Sequence, residues 1–260
     1  VTDQTQGDWN GCVGKIELQP FNSIDEVNVY PDIDSRTARV HLEMLDYKSR
    51  KATVTLRATA FNTDRQHVVE SKPVEVILND SKVVPCDITL QMGEGMLLWD
   101  EFNPQLYRLE VEVKAKDGNV CRKETVFGMR KLEIKDKMFY LNGHDILLRG
   151  TVENCDFPNT GYPPMDVESW LKLFRICKSY GLNHMRFHSY CPPEAAFEAA
   201  DQLGFYLQPE GPSWPNHGVR LRRGMSIDQY LIDEGKAILD QYGNHPSFVM
   251  MAAGNEPAGD

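Results

Sequence analysis

An asparagine and a glutamate stand side by side at Asn255-Glu256, directly after Ser247-Phe248-Val249-Met250-Met251-Ala252-Ala253-Gly254. That apolar stretch has the length of one buried strand. If it is a parallel strand of an α/β barrel, the pair lies at its carboxyl end, where the loops form the open face and reactive groups collect. A carboxylate with an amide beside it suits proton transfer at a glycosidic oxygen. A proton donor in that role must stay protonated near neutral pH, which requires burial or a second carboxylate close by.

Other side chains could join such a site. Arg186 and His188 are two residues apart in an extended stretch, so both face one side. Arg186 would orient a second carboxylate or form a buried salt bridge. His188 would contact sugar hydroxyls or sit as a satisfied core histidine. Glu210, ending Gln208-Pro209-Glu210, would bind substrate or pair with Arg186. Trp214 follows in a loop with Pro212, Pro215 and Gly218, where an indole could stack on a pyranose ring or simply pack. Arg220, Arg222 and Arg223 read as a solvated loop. Cys191 lies three residues after His188, but Pro192-Pro193 follows and no activating helix terminus precedes it, so a thiol nucleophile is not expected. His184 and His188 are four apart on a strand rather than a helix, and none of the six cysteines forms a Cys-x-x-Cys pair. Neither metal nor cofactor is expected.

The elements that must position these residues change character along the chain. Up to about residue 130 the pattern is short alternating strands, as in Ala38-Arg39-Val40-His41-Leu42-Glu43-Met44 and Tyr107-Arg108-Leu109-Glu110-Val111. Turn residues such as Asn79-Asp80 and Asp117-Gly118-Asn119 separate them, which indicates an immunoglobulin-like β-sandwich. A hairpin is predicted at Asn142-Gly143. It leads into a first apolar strand over 146–150, and a helix capped by Asp166 and stopped by Gly181 follows. A strand over 182–187, a helix over 193–203 ended by Gly204, a strand over 205–208 and a helix over 227–242 come next. Strand, helix, strand in repetition makes a parallel sheet with right-handed crossovers. Only about four strands fall between residue 131 and residue 260, whereas a closed (β/α)8 barrel needs eight. The expectation is a fragment of a longer protein.

Composition bounds the rest. The 260 residues suffice for two domains, and 41% hydrophobic with 25% charged residues is ordinary for a globular chain. A formal net charge of −10 repels phosphate backbones and anionic lipid, which argues against nucleic-acid and membrane partners. The even cysteine count permits disulfides, but the wide spacing gives no framework.

Four stretches carry a resemblance to glycoside hydrolase family 2, which contains β-galactosidases, β-glucuronidases and β-mannosidases. Gly7-Asp8-Trp9-Asn10-Gly11-Cys12-Val13-Gly14-Lys15-Ile16-Glu17-Leu18 resembles the closing strand of the family's amino-terminal jelly-roll domain. Leu98-Trp99 with Asn103-Pro104-Gln105-Leu106-Tyr107 resembles the late part of its immunoglobulin-like domain. Phe127-Gly128-Met129-Arg130, Leu141-Asn142-Gly143 and Leu148-Arg149-Gly150 resemble the entry to its barrel. Asn183-His184-Met185-Arg186-Phe187-His188 and Gly254-Asn255-Glu256 resemble barrel strands two and four. Their order covers nearly the whole chain. After the first strand many members read Asn-Arg-His-Glu where this chain has Val152-Glu153-Asn154-Cys155, a departure that puts a different surface on that side of the site.

The resemblance implies a jelly-roll strand at 1–18, the sandwich at 19–130 and the first half of a TIM barrel at 131–260. It implies a retaining exo-β-glycosidase acting on terminal β-linked sugars, with Glu256 as acid/base and Asn255 bonded to the sugar 2-hydroxyl. The nucleophile would follow barrel strand seven, outside this chain, so the chain alone is expected to be inactive. The substrate would be an oligosaccharide or glycoside, and a periplasmic or secreted home follows from the resemblance alone. Two rival readings stand: a non-catalytic carbohydrate-binding or scaffold segment, and a half-barrel completed by a partner chain or second copy.

Overall fold

Alternation of apolar and polar residues builds the first part of the chain. The computed structural model describes residues 24–45, 50–79, 83–213 and 221–256, together with Gly14 and Ile16. The expected jelly-roll strand over 1–18 lies almost wholly outside the described residues. The chain divides into two compact units, Glu17–Ile146 and Leu147–Asp260 with Val1–Ile16.

In the first unit, β1 (Ile24–Asp32), β2 (Thr37–Met44) and β6 (Val84–Gln91) form an antiparallel sheet. A second sheet runs β4 (Val68–Glu70), β3 (Arg50–Phe61), β7 (Leu106–Ala115) and β8 (Val120–Phe127), with β5 (Val74–Leu78) also paired to β3. Each strand turns one face inward. Ala38, Val40, Leu42 and Met44 of β2 are fully buried, as are Val54 and Ala58 of β3 and Leu109 and Val111 of β7. All belong to one core, and each large aliphatic side chain within it contributes about 1.5–3 kcal/mol. This is the immunoglobulin-like sandwich anticipated from the period-two pattern. A small antiparallel sheet follows, β9 (Leu132–Lys135), β10 (Met138–Leu141) and β11 (His144–Ile146). Its turn is at Asn142-Gly143, both with positive φ (53° and 84°), as a tight primed hairpin requires.

The second unit is the start of a TIM barrel: β12 (Gly150–Glu153), α1 (Val167–Ser179), β13 (His184–Phe187), α2 (Glu194–Leu203), β14 (Tyr206–Gln208) and α3 (Ser226–Tyr242). The strands are parallel, in the order β12-β13-β14. Asp166 caps α1, accepting from the Ser169 amide at 2.8 Å and from its hydroxyl at 2.8 Å. Gly204 ends α2 in the left-handed conformation, which a side chain would disfavour. Trp170 and Phe174 of α1, Phe197 of α2, Phe187 of β13 and Leu207 of β14 fill the layer between helices and sheet.

Two strands differ from expectation. The first barrel strand is Gly150–Glu153 rather than 146–150. Buried Asn183 accounts for the shift: its Oδ1 accepts from the Arg149 amide at 2.7 Å and its Nδ2 donates to the Leu147 carbonyl at 3.0 Å. Its side-chain bonds thus take up backbone groups there, beside one backbone bond from the Asn183 amide to the Arg149 carbonyl at 3.0 Å. The apolar run over 247–253 is bonded parallel to β14 and the residues just after it by isolated bridges, Leu207↔Phe248 and Glu210↔Ala252, rather than as a continuous strand. Pro209 has no amide to give the ladder at its middle.

Candidate functional site

The carboxyl ends of these parallel strands gather the chemistry. Val152, Arg186 and Gln208 are in register on β12, β13 and β14, so one sheet face presents Arg186 between its neighbours. The Arg186 Nε donates to Glu210 Oε1 at 2.5 Å, and its Nη2 donates to Glu210 Oε2 at 3.2 Å. The same Nη2 donates to Asn255 Oδ1 at 2.8 Å. One guanidinium therefore ties together residues from three strand ends. The fork suits a planar carboxylate, and the pair is charge-assisted.

Glu210 is the buried partner: its side chain is 2% exposed against 31% for Arg186. The Ser189 amide, donating to Glu210 Oε2 at 3.0 Å, supplies a third bond. Ser189 reaches that position with a φ of 61°, a left-handed conformation that costs a non-glycine residue about 1 kcal/mol or more. Of the two roles open for Glu210 in the sequence, pairing with Arg186 is the one its bonds display. The hydrogen bond that Arg186 donates to Glu210 raises the Arg186 pKa against the opposing effect of burial, and the charges of Glu210 and Glu256 add to it.

Asn255 is buried and Glu256 exposed. Their approach is set by Gly254. A Cβ there would lie 2.4 Å from the Ser213 carbonyl oxygen, the same oxygen that accepts from the Asn255 amide at 2.9 Å. Glu256 itself has a φ of 46°. Left-handed non-glycine residues thus occur at the ends of two strand regions of this face, and Cys155 (φ 58°) adds a third after β12. Strain of this kind persists only where surrounding bonds over-determine it, and it concentrates at functional sites.

His188 follows β13, its amide bonded to the Glu153 carbonyl at 2.9 Å and its Nδ1 3.2 Å from the Ser189 hydroxyl. Trp214 and Arg220 lie outside the described residues. Arg222 is in a loop held by its amide bond to Asp228 at 2.8 Å.

The structure adds a pair that sequence reading missed, Glu153 and Tyr190. The Tyr190 hydroxyl donates to Glu153 Oε2, and the Cys155 and Asp156 amides donate to the same carboxylate at 3.0 and 3.3 Å. Burial pushes the Glu153 pKa up, the two amide bonds oppose this, and the Asp156 charge adds to it. The signal was present as a carboxylate at a strand end. Placing that strand four residues early put Glu153 in a loop.

Among the described residues no group of three or more His, Cys, Asp or Glu side chains is placed to hold a metal ion. Cys86, Cys121, Cys155, Cys177 and Cys191 are unpaired thiols. Burial pushes Cys155 and Cys191 up to about 12, with nearby carboxylates adding, so neither supplies a thiolate near neutral pH. No helix among the described residues is long and apolar enough to cross a membrane.

The fold is an immunoglobulin-like sandwich followed by the start of a TIM barrel, with an arginine, carboxylate and amide network at the carboxyl ends of its strands. Residues 22–130 match the model of glycosyl hydrolases family 2, and residues 132–260 match that family's TIM barrel domain. The chain belongs to glycosyl hydrolase family 2. It is 26% identical to a β-galactosidase of Lactococcus lactis subsp. lactis over 98% of its own length and 24% of that protein's. It is 31% identical to a putative β-glucuronidase of Formosa agariphila over 61% of its length and 19% of that protein's. A solved β-glucuronidase of Parabacteroides merdae, with glycerol in its active site, superposes with a TM-score of 0.65 at 27% identity, covering 88% of this chain and 29% of that one. The chain thus spans about a quarter or less of the length of these two curated relatives.

Proposed function

We propose that the chain is part of a retaining exo-β-glycosidase that hydrolyses terminal β-linked sugars, with Glu256 as the acid/base. The observation that carries this reading is the network in which Arg186 holds Glu210 and Asn255 beside Glu256 at the strand ends. The names of the relatives, β-galactosidase and β-glucuronidase, agree with it.

In the proposed reaction Glu256 protonates the departing glycosidic oxygen, then deprotonates the water that releases the sugar. The second carboxylate, the nucleophile, would stand roughly 5–5.5 Å from it, on a segment beyond residue 260. Asn255 acts beside it on the sugar 2-hydroxyl. Because Arg186 occupies its Oδ1, the amide offers its Nδ2 hydrogens to the ligand. Arg186 is poised to orient the nucleophile, and His188 and Trp214 to contact the sugar. Glu210 keeps Arg186 in place.

Two measurements test this. The chain 1–260 alone should not turn over aryl β-glycosides, and turnover abolished by Glu256→Gln would refute the assignment of the nucleophile to another segment. In a longer protein that carries this chain, Glu256→Gln should spare substrates with good leaving groups, and added azide should restore release as the β-glycosyl azide. An equal loss on good and poor leaving groups, without azide rescue, would remove Glu256 from the acid/base role.

A further inference from the structure

The stretch Val152-Glu153-Asn154-Cys155, where the chain departs from the pattern of many family members, holds a carboxylate that the reaction outlined above does not use. Its surroundings give it a task. Glu153 ends β12 in register with Phe187 of β13, and the loop that follows β13 passes beside it. In that loop His188, Ser189 and Tyr190 are each bonded to one of two glutamates. The His188 amide donates to the Glu153 carbonyl at 2.9 Å, and the Ser189 amide donates to Glu210 Oε2 at 3.0 Å. The Tyr190 carbonyl accepts from the Glu210 amide at 3.1 Å, and the Tyr190 hydroxyl donates to Glu153 Oε2. Glu153 and Glu210 thus bracket the loop, each through one main-chain and one side-chain bond.

Both ends of the Tyr190–Glu153 bond are already fixed. The Glu153 carboxylate accepts from the Cys155 amide at 3.0 Å and from the Asp156 amide at 3.3 Å. Cys155 aims its amide there with a φ of 58°, as Ser189 aims its own at Glu210 with a φ of 61°. Two strained residues in neighbouring loops therefore each direct an amide onto a carboxylate, and such strain persists only where the surroundings over-determine it. At the other end the Tyr190 ring stands edge-on to fully buried Phe187, with centroids 5.6 Å apart. A bond between two groups that are held in advance loses little side-chain freedom and transmits position from one loop to the next.

We propose that Glu153 is a positioning residue, whose carboxylate fixes the loop 188–190 through the Tyr190 hydroxyl and so sets the place of His188 against the sugar. The consequence for turnover rests on the glycosidase reading above, whereas the brace itself does not.

Two measurements test it. In the chain 1–260, amide hydrogen exchange at His188 and Ser189 should be slow and should accelerate about tenfold or more in Glu153→Ala, with a smaller change in the milder Tyr190→Phe. Both variants spare the Glu153 carbonyl, so only the side-chain brace is lost, and unchanged exchange in α1 controls for unfolding. Wild-type amides that exchange at the unprotected rate, or protection that neither variant alters, would overturn the proposal. In a longer active protein that carries this chain, Glu153→Ala should lower kcat/KM about tenfold or more, equally for good and poor leaving groups and without azide rescue. Glu153→Gln keeps an acceptor oxygen for Tyr190 and should recover part of the loss. Adding Glu153→Ala to His188→Ala should cost less than about threefold more, because the carboxylate acts through that loop. An unchanged kcat/KM in Glu153→Ala would overturn the positioning role, as would losses that multiply in full in the double variant. If instead the acid/base assignment is wrong, Glu256→Gln fails its azide test while the exchange result at His188 and Ser189 stands.

Discussion

Replacing Arg186 with methionine should damage the fold of the barrel unit and not merely its chemistry. The reason is Glu210, whose side chain is 2% exposed and whose oxygens take two bonds from Arg186 and one from the Ser189 amide. Methionine preserves much of the packing of the arginine stem but leaves a buried carboxylate with a single amide donor. Removing one partner of a buried pair costs about 3–5 kcal/mol, and the 31% exposure of the Arg186 side chain argues for the lower end. The bond to Asn255 Oδ1 disappears as well, which adds roughly 1.5 kcal/mol at most. A loss of about 3 kcal/mol in a unit of roughly 100 residues lowers Tm by more than about 10 °C. The assay is calorimetry with urea denaturation on wild type, Arg186→Met, Glu210→Gln and the double variant. The double variant buries no unpaired charge, so it should be clearly more stable than the two single losses added together, with a coupling of about 1.5 kcal/mol or more. A cost below about 1 kcal/mol for Arg186→Met, or additivity within about 0.5 kcal/mol, would refute the argument that this pair supports the strand ends.

Two buried histidines, His184 and His245, should respond to pH with opposite signs. His184 is 7% exposed, its Nε2 has no hydrogen-bond partner, and burial lowers its pKa from 6.5 to about 4. It stays neutral in the folded chain while the unfolded chain takes up a proton, so stability is intact above about 6.5 and falls by roughly 3 kcal/mol as pH drops to about 4. Urea midpoints for wild type and His184→Gln should diverge at pH 7.5 and converge toward pH 4.5; a constant gap would contradict this. His245 sits 2.6 Å from Asp201 Oδ2. Burial disfavours its charge, but the Asp201 charge and hydrogen bond, with Glu194 and Glu198, outweigh burial and leave its pKa raised. Its contribution is therefore complete below the unfolded value and is lost as pH rises through the folded one, a slope that His245→Asn should abolish. Gly254→Ala brings a Cβ to 2.4 Å from the Ser213 oxygen, so it should cost about 1–3 kcal/mol and displace Asn255 and Glu256, seen as lost activity in a longer active protein. Tyr190→Phe removes the donor to half-buried Glu153 and should cost about 1 kcal/mol by denaturant melt, with no loss expected if that carboxylate were solvated.

Much of the architecture follows from local rules that a single chain displays. Alternation in 38–44 and 107–111 forces half-buried strands, Asn142-Gly143 forces a primed turn, and Asp166 and Gly204 mark helix ends because backbone groups there need a cap or a left-handed residue. The periods alone separated sandwich from barrel. The placing of Glu256, Asn255, Arg186 and Glu210 at strand ends came from the same reasoning. What local pattern could not settle was register and partnership. Asn183, buried far from residue 147 in sequence, takes the bonds that would have extended the first barrel strand, and only the packed fold brings it there. Arg186 had both a carboxylate and an amide within reach only after three strand ends converged. The bond between Tyr190 and Glu153, and the Gly254 contact with Ser213, likewise join segments whose spacing carries no signal. Propensity is written in neighbouring residues, so the chain determines its elements by itself. The donors, acceptors and burial that give a side chain its chemistry come from residues distant in sequence, and only the tertiary structure assigns them.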